Sequence, residues 1–183
     1  RWRDGRCAEA TLVIDLHFHL LPGVDDGAID GSTARRMAAL AAEDALMLDG
    51  EALSRVMPGS FYFEGRSGPT QMRNSAAVRF GEKRHVIAAL VDTAGYSSDI
   101  RAKYEGFFIT DSRVAFGDKE LAAGAYGFGV TKESKFNIFD VGGNLVLSVD
   151  GDKDSATRTP RPLALLKENG GVRFYRGRSF VVV

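Results

Sequence analysis

The sequence has little of several features that would place it in a specialised class of protein. It contains one cysteine, Cys7, among 183 residues, which excludes an internal disulfide. It has no run of 18 apolar residues, so we expect no membrane-spanning helix. Its 24 basic and 24 acidic residues cancel, which argues against binding to nucleic acid through bulk charge. With 44% hydrophobic residues, the chain is expected to fold around a core rather than to be disordered.

Charged and aromatic residues are unevenly distributed along this neutral chain. Residues 1–55 carry six arginines, no lysine and ten acidic residues, a net charge of −4. Residues 56–183 have a net charge of +4 and hold eleven of the twelve phenylalanines and all five tyrosines. This shift predicts two units, residues 1–55 and residues 56–183, with the join near residues 50–58.

The second part has the pattern of an all-β domain, because short segments rich in Val, Ile, Phe and Tyr alternate there with turn residues. The predicted strands are residues 60–64, 76–80, 85–91, 106–110, 113–116, 125–130, 136–140, 145–149, 163–166, 172–175 and 179–183. Hairpin turns are predicted at residues 117–119, 142–144 and 169–171, and a short helix over residues 98–104. We expect a mainly β fold, an antiparallel sandwich or barrel, preceded by an N-terminal strand–loop–helix segment.

Period-two alternation also predicts which side chains form the core of this β domain. The expected core residues are Phe61, Phe63, Val78, Phe80, Ile87, Ala89, Phe108, Phe128, Phe136, Ile138, Val146, Phe174 and Val182.

The N-terminal part carries the strongest chemical signal. A short β-branched run, TLVI, leads into Asp15, His17 and His19, and a turn around Asp26 follows. Alternate residues of a strand point to the same face, so the two imidazoles would project together and could share a divalent transition metal. A plain alternative remains open, namely two half-buried histidines hydrogen-bonded to the loop. An Ala-rich helix is predicted next, ending at about Leu48.

The residues around these histidines carry a family resemblance. The stretch IDLHFHLLPGVDDG at residues 14–27, with a helix ending AAED, resembles the start of the PHP superfamily, specifically its manganese-dependent bacterial protein-tyrosine phosphatases. The resemblance covers residues 12–45. It implies that His17 and His19 are metal ligands supported by Asp26, that the cofactor is Mn²⁺ or another divalent transition metal, and that the substrate is a phosphotyrosine protein in the cytoplasm. Such a metal centre activates water against a phosphate ester.

The resemblance ends after Asp44. A family member continues into further strands that carry more His, Glu and Asp ligands, whereas the remaining histidine here is His85. We therefore expect an incomplete phosphatase site that is inactive in the isolated chain. The alternative is a non-enzymatic β domain that acts as a binding or structural module and suits an exported protein.

Two acidic patterns in the second part resemble known loops. Residues 92–95, DTAG, imitate a GTPase switch, but the chain has no GxxxxGK[ST] phosphate loop, so a strand-to-loop transition is the preferred interpretation. Asp150, Asp152 and Asp154 have the first three spacings of a calcium loop, but Ser155 and Arg161 stand where glycine and glutamate are required. A solvated loop is the preferred interpretation there.

Three further patterns are interpreted structurally. Residues 173–178, RFYRGR, interleave basic and aromatic side chains as some nucleic-acid surfaces do, but a strand with one core face gives the same pattern. Residues 121–129, LAAGAYGFG, are weakly similar to a hairpin of exported bacterial β domains, and their glycines permit either tight aromatic packing or close approach of a ligand. His85 is interpreted as a strand-edge residue.

Overall fold

A computed structural model describes residues 45–168 and 171–183 of the chain. Within these residues it contains short helices α1 and α2 and strands β1 to β14. In chain order they are β1 (Ala45–Leu48), α1 (Gly50–Val56), β2 (Ser60–Phe63), β3 (Arg66–Phe80), β4 (Arg84–Val91), α2 (Ser98–Lys103), β5 (Gly106–Thr110), β6 (Val114–Phe116), β7 (Lys119–Leu121), β8 (Gly124–Val130), β9 (Lys135–Phe139), β10 (Leu145–Asp150), β11 (Asp152–Lys153), β12 (Arg161–Glu168), β13 (Gly171–Gly177) and β14 (Ser179–Val182).

The strands form two main sheets in which every pairing is antiparallel. The larger sheet has the order β1-β3-β4-β5-β8-β9-β10, and β2 pairs with the first part of β3. The smaller sheet has the order β11-β14-β13-β12, and β6 and β7 form a separate two-stranded ribbon. No helix in the described ranges is long and apolar enough to cross a membrane.

Strand β4 shows how the larger sheet is buried on both faces. Its sequence RHVIAALV is almost continuously apolar, as expected for a strand covered on both sides. Val86, Ala88 and Leu90 point into one hydrophobic cluster, whereas the alternating residues Ile87 and Ala89 point into another. The larger sheet therefore lies between two separate cores.

The first core is shared by the two sheets. Phe174 of β13 is fully buried, and its ring lies 5.0 Å from Phe128, 5.6 Å from Phe108 and 5.6 Å from Phe136 of the larger sheet. Burial of a phenylalanine stabilises a fold by roughly 1.5–3 kcal/mol. This packing makes the fold an antiparallel sandwich and confirms the predicted mainly β class.

The second core lies on the opposite face of the larger sheet, beneath β2 and the two helices. Phe63 of β2 stacks on Tyr104, with ring centroids 4.1 Å apart. Helix α2 begins where the Ser97 hydroxyl accepts a hydrogen bond from the Ile100 amide, and it supplies Ile100 to this core. The predicted short helix over residues 98–104 is confirmed.

The prediction that a helix extends to about Leu48 is wrong over its last four residues. Ala45 to Leu48 form β1, which pairs with β3 so that Ala45 lies opposite Phe80. Pairing with a long strand and burial of Ala45 outweigh the local helix propensity of the Ala-Leu-Met-Leu segment. The sheet thus extends to the N-terminal side of residue 56, and the boundary between the two predicted units stays a prediction.

Two of the expected core residues, Val146 and Val182, are exposed. Val146 is the extra residue of a register shift in β10, since Leu145 lies opposite Phe139 and Leu147 opposite Ile138. Val146 is 47% exposed and Leu147 7%. In β14, Val181 is buried and Val182 is exposed. Because side chains alternate between faces, a shift of one residue exchanges the core and solvent positions.

The other expected core positions agree with the structure. Phe80 is partly buried against the first core, and the remaining ten are buried. The predicted hairpin turn at residues 117–119 joins β6 to β7, with Gly117 at φ +64°. The predicted turn at residues 142–144 joins β9 to β10. Strand β3 begins ten residues earlier than predicted. Residues 66–75, RSGPTQMRNS, include one large apolar residue, Met72, so they do not show the alternation that identifies a strand.

Candidate functional site

The N-terminal metal-site residues His17, His19 and Asp26 lie outside the described residues. Their roles therefore stay predictions. Within residues 45–168 and 171–183, no three His, Cys, Asp or Glu side chains come together so as to hold a metal ion.

His85 lies at the start of β4 and is paired with a carboxylate. Both oxygens of Asp111 accept the His85 backbone N–H at 2.8 Å, and Asp111 Oδ2 lies 3.3 Å from His85 Nδ1. The imidazole is 25% exposed. Because the strands on both sides of β4 continue the sheet, His85 lies at the end of an interior strand.

The three aspartates with calcium-loop spacing have different environments. Asp150 ends β10, where its carboxylate lies 3.4 Å from Lys135 Nζ, and Asp152 belongs to β11. Asp154 Oδ2 accepts hydrogen bonds from the Thr157 hydroxyl at 2.5 Å and the Tyr175 hydroxyl at 3.1 Å. The Thr157 hydrogen bond in particular lowers the pKa of Asp154. These contacts agree with a structural loop.

The basic and aromatic residues at 173–178 follow the alternation of β13. Phe174 faces the first core, and Arg173 lies on the opposite face of the strand. Arg173 forms an ion pair with Glu168, and its guanidinium lies 4.2 Å from the Phe180 ring centroid. Arg176 donates to Glu105 at 2.8 Å and so links the two sheets. These contacts agree with the interpretation as a strand with one core face, and Tyr175, on the face of Arg173, is buried as well.

The glycines of β8 make room for aromatic side chains and backbone. A Cβ at Gly127 would lie 2.6 Å from Phe63 Cε2, and one at Gly129 would lie 1.8 Å from the Lys103 carbonyl oxygen. Of the two roles that the sequence left open for this segment, the structure shows tight packing at Gly127.

A groove beside the second core is the strongest candidate site in the larger sheet. It has a volume of about 310 Å³ and is formed by two segments distant in the sequence. One is the start of β3, residues 66–69, and the other is the loop after β4, with Asp92 and residues 94–96. Gly68 permits this arrangement, because a Cβ there would lie 2.8 Å from the Asp92 carbonyl oxygen. The DTAG segment is thus a strand-to-loop transition that lines a groove.

Two opposite charges are held at this groove by backbone partners. Arg66 Nη1 donates to the Gly95 carbonyl oxygen at 2.6 Å, and Asp92 Oδ1 accepts the Ala94 amide at 3.0 Å. The Tyr96 hydroxyl donates to the Arg66 carbonyl oxygen at 3.0 Å. Burial raises the pKa of Tyr96, and the Arg66 charge partly opposes this shift. The groove therefore presents a guanidinium and a carboxylate, each with one backbone hydrogen bond.

Tyr104 lies in the core next to this groove. Its side chain is 1% exposed, and its ring meets Tyr96 at 5.6 Å in an edge-to-face arrangement. Its hydroxyl has no hydrogen-bond partner among the described residues. Burial, and secondarily Tyr96, raise the pKa of Tyr104.

The sequence patterns singled out Asp92 and Gly95 because DTAG imitates a GTPase switch. They gave no indication of Arg66 or Tyr96. The one available signal was the Gly68-Pro69 pair, since glycine inside a strand marks a close approach of backbone. The pairing of residues 66–70 with their partners depends on contacts that no local pattern shows.

Comparison with known proteins gives no relative. No protein-family model, no curated protein and no solved structure matches the chain. The resemblance of residues 12–45 to the PHP phosphatases therefore stays a prediction.

Proposed function

We propose that the β-rich part of the chain is a non-enzymatic binding module and that the groove at Arg66, Asp92 and Tyr96 is its site. The observation that supports this proposal is the pair of opposite charges, each held by a backbone hydrogen bond at the groove. A groove of about 310 Å³ lies at the lower end of the range for small-molecule sites.

The ligand class follows from the two charges. Arg66 keeps guanidinium N–H groups beyond the one bound to Gly95, and these can bind a carboxylate. Asp92 keeps one carboxylate oxygen without a backbone partner, and it can accept from an ammonium group. A small zwitterion, with an ammonium and a carboxylate group, complements both.

Diglycine is a suitable probe for NMR titration of the full chain. We expect saturable chemical-shift changes at the amides of Gly68 and Gly95, and weaker changes with N-acetyl-diglycine or diglycinamide, which each lack one charge. Arg66→Gln should weaken the response to diglycine. The matched control is Arg73→Gln, an exposed arginine of the same strand outside the groove.

Equal responses to all three probes, or an unchanged response in Arg66→Gln, would contradict the zwitterion site. Absence of any response would remove the groove as a site for this ligand class.

The N-terminal motif supports a second candidate function, a PHP-type phosphatase site. Imidazole and carboxylate donors such as His17, His19 and Asp26 suit Mn²⁺ or another divalent transition metal. When bound, such a metal lowers the pKa of its water and neutralises charge on a phosphate ester. The chain's own residues would hold that metal, and a phosphotyrosine protein would be the substrate.

Hydrolysis of an aryl phosphate by protein reconstituted with Mn²⁺ tests this second function. For the isolated chain we expect weak metal binding and no turnover above background, since the family's later ligands have no counterparts here. His17→Ala and the control His85→Ala should then hydrolyse the aryl phosphate at the same background rate as wild type. Mn²⁺-dependent hydrolysis that is lost in His17→Ala and kept in His85→Ala would show a complete site.

A further inference from the structure

A second concave site lies at one end of the smaller sheet, away from the residues of the groove. Its volume is about 460 Å³, and six consecutive residues, 157–162, line it. They read TRTPRP and connect β11 to the start of β12. Two of the six side chains are arginines, Arg158 and Arg161, and both are exposed.

A third arginine contacts the loop that lines this pocket. In the ladder between β12 and β13, Arg161 lies opposite Gly177, which directly precedes Arg178. Arg178 Nη2 donates to the Arg158 carbonyl oxygen at 3.1 Å, so its guanidinium reaches the loop that lines the pocket. Across the described residues, Arg158, Arg161 and Arg178 have no carboxylate partner within ion-pair distance.

This lack of carboxylate partners contrasts with the other arginines of the same sheet. Arg173 is paired with Glu168, and Arg176 with Glu105. The nearby carboxylate of Asp154 is engaged by the Thr157 hydroxyl and the Tyr175 hydroxyl. Three positive charges with one engaged negative charge leave a local excess of about two positive charges, which attracts anions.

The backbone of the arginine-bearing loop is held in place from both ends. Asp154 accepts the Ala156 and Thr157 amides at 3.0 and 3.2 Å, and its own amide donates to the Arg178 carbonyl oxygen at 2.9 Å. Arg176 Nη1 donates to the Pro162 carbonyl oxygen at 3.2 Å. These contacts restrict the loop before any ligand arrives, which lowers the entropic cost of binding.

We propose that Arg158, Arg161 and Arg178 form a binding site for the phosphate group of a small phosphate monoester. Guanidinium groups present planar pairs of N–H donors that match two oxygens of a phosphate, and a dianion suits the local excess of two charges. Arg158 and Arg161 line one pocket, and Arg178 contacts the same loop. Three charges grouped at one loop suit a terminal phosphate better than a long polyanion.

Titration with phenyl phosphate, followed by NMR of the arginine Nε–H groups and the loop amides, tests this assignment. We expect saturable shifts at residues 157–162 and 178, and much smaller ones with sodium chloride or acetate at the same ionic strength. Inorganic phosphate should bind at the same residues.

Arginine variants separate specific binding from bulk charge. Arg158→Gln and Arg161→Gln should each weaken binding by about tenfold or more, because each removes charged hydrogen bonds. Arg158→Lys keeps the charge without the planar fork, and we expect it to weaken binding less than Arg158→Gln does. The control Arg73→Gln removes one positive charge elsewhere and should leave binding unchanged.

Three results would overturn the proposal. They are equal shifts with chloride at matched ionic strength, an equal loss in Arg73→Gln, and unchanged binding in a folded Arg158→Gln/Arg161→Gln double variant. A mixed-sequence oligonucleotide that bound more tightly than phenyl phosphate would show a nucleic-acid surface instead. Far-ultraviolet circular dichroism establishes that each variant is folded.

Discussion

Replacing Tyr104 by phenylalanine is expected to stabilise the protein. The Tyr104 side chain is 1% exposed, and its hydroxyl has no hydrogen-bond partner among the described residues. A buried donor without a partner costs about 1–3 kcal/mol, because the unfolded chain returns that group to water. The stacked contact with Phe63, at 4.1 Å between ring centroids, is made by the ring and is kept in the variant.

The expected gain is therefore about 1–3 kcal/mol in the free energy of unfolding. For a chain of this length, each kcal/mol raises Tm by about 2–4 °C. Urea unfolding followed by far-ultraviolet circular dichroism measures the gain directly, since the signal does not depend on the replaced ring.

Tyr96→Phe is the matched control, because it makes the same chemical change in a neighbouring ring of the same core. The Tyr96 hydroxyl donates to the Arg66 carbonyl oxygen at 3.0 Å, so its removal should destabilise the protein by about 0.5–1.5 kcal/mol. The two variants are thus expected to differ in sign. Destabilisation of Tyr104→Phe by a similar amount would refute the reasoning and would show that the hydroxyl has a partner.

Alkaline unfolding gives an independent measure of the same burial. The pKa of Tyr104 is raised in the folded protein, so the unfolded chain loses this proton first as the pH rises. The stability linked to Tyr104 is complete below about pH 10 and falls as the pH rises above it toward the folded pKa. Tyr104→Phe should therefore lose less stability than wild type above pH 10.

Three further tests, made with five substitutions, examine the packing and electrostatics of the β domain. Gly127→Ala places a Cβ 2.6 Å from Phe63 Cε2 and should destabilise by about 1–3 kcal/mol, whereas Gly59→Ala, with open space around its Cβ, is the control in urea unfolding. Leu147→Ala should cost about 2–5 kcal/mol and Val146→Ala less than about 0.5 kcal/mol, and equal losses would contradict the register of β10. The lowered pKa of Asp154 contributes stability that is present at neutral pH and is lost as the pH falls below about 4, so Asp154→Asn should reduce the drop in Tm between pH 6 and pH 3.

Local pattern was sufficient for most strands of the β domain. Strand β5 has the predicted bounds, residues 106–110, because GFFIT is apolar and β-branched and is bounded by a charged residue on each side. The apolar run of β4 also identified a strand, because burial on both faces leaves no polar position to interrupt the signal. The residue types that identify these strands are adjacent in the chain, so they can be read from a single sequence.

Tertiary contacts determined the secondary structure or register of segments whose local sequence gave a weak signal or favoured a different structure. Ala45 to Leu48 pair with β3, although the same residues favour a helix in isolation. In β10, the register shift placed Leu147 in the core and Val146 in solvent, although both side chains are apolar. Pairing energy is gained only when a distant strand is present, so no window of a few residues contains it.

In the candidate sites too, the sequence shows the residue types, and tertiary contacts determine which of them meet. The residue types at Arg158 and Arg161 are visible in the sequence, but the arrival of Arg178 at the same loop follows from the pairing of β12 with β13. Arg66 and Asp92 are 26 residues apart, and the antiparallel meeting of β3 and β4 brings them to one groove. The sequence by itself determined the class of fold and the charges available, whereas the tertiary structure decided which charges meet, because contacts between distant residues depend on the packing of the whole sheet.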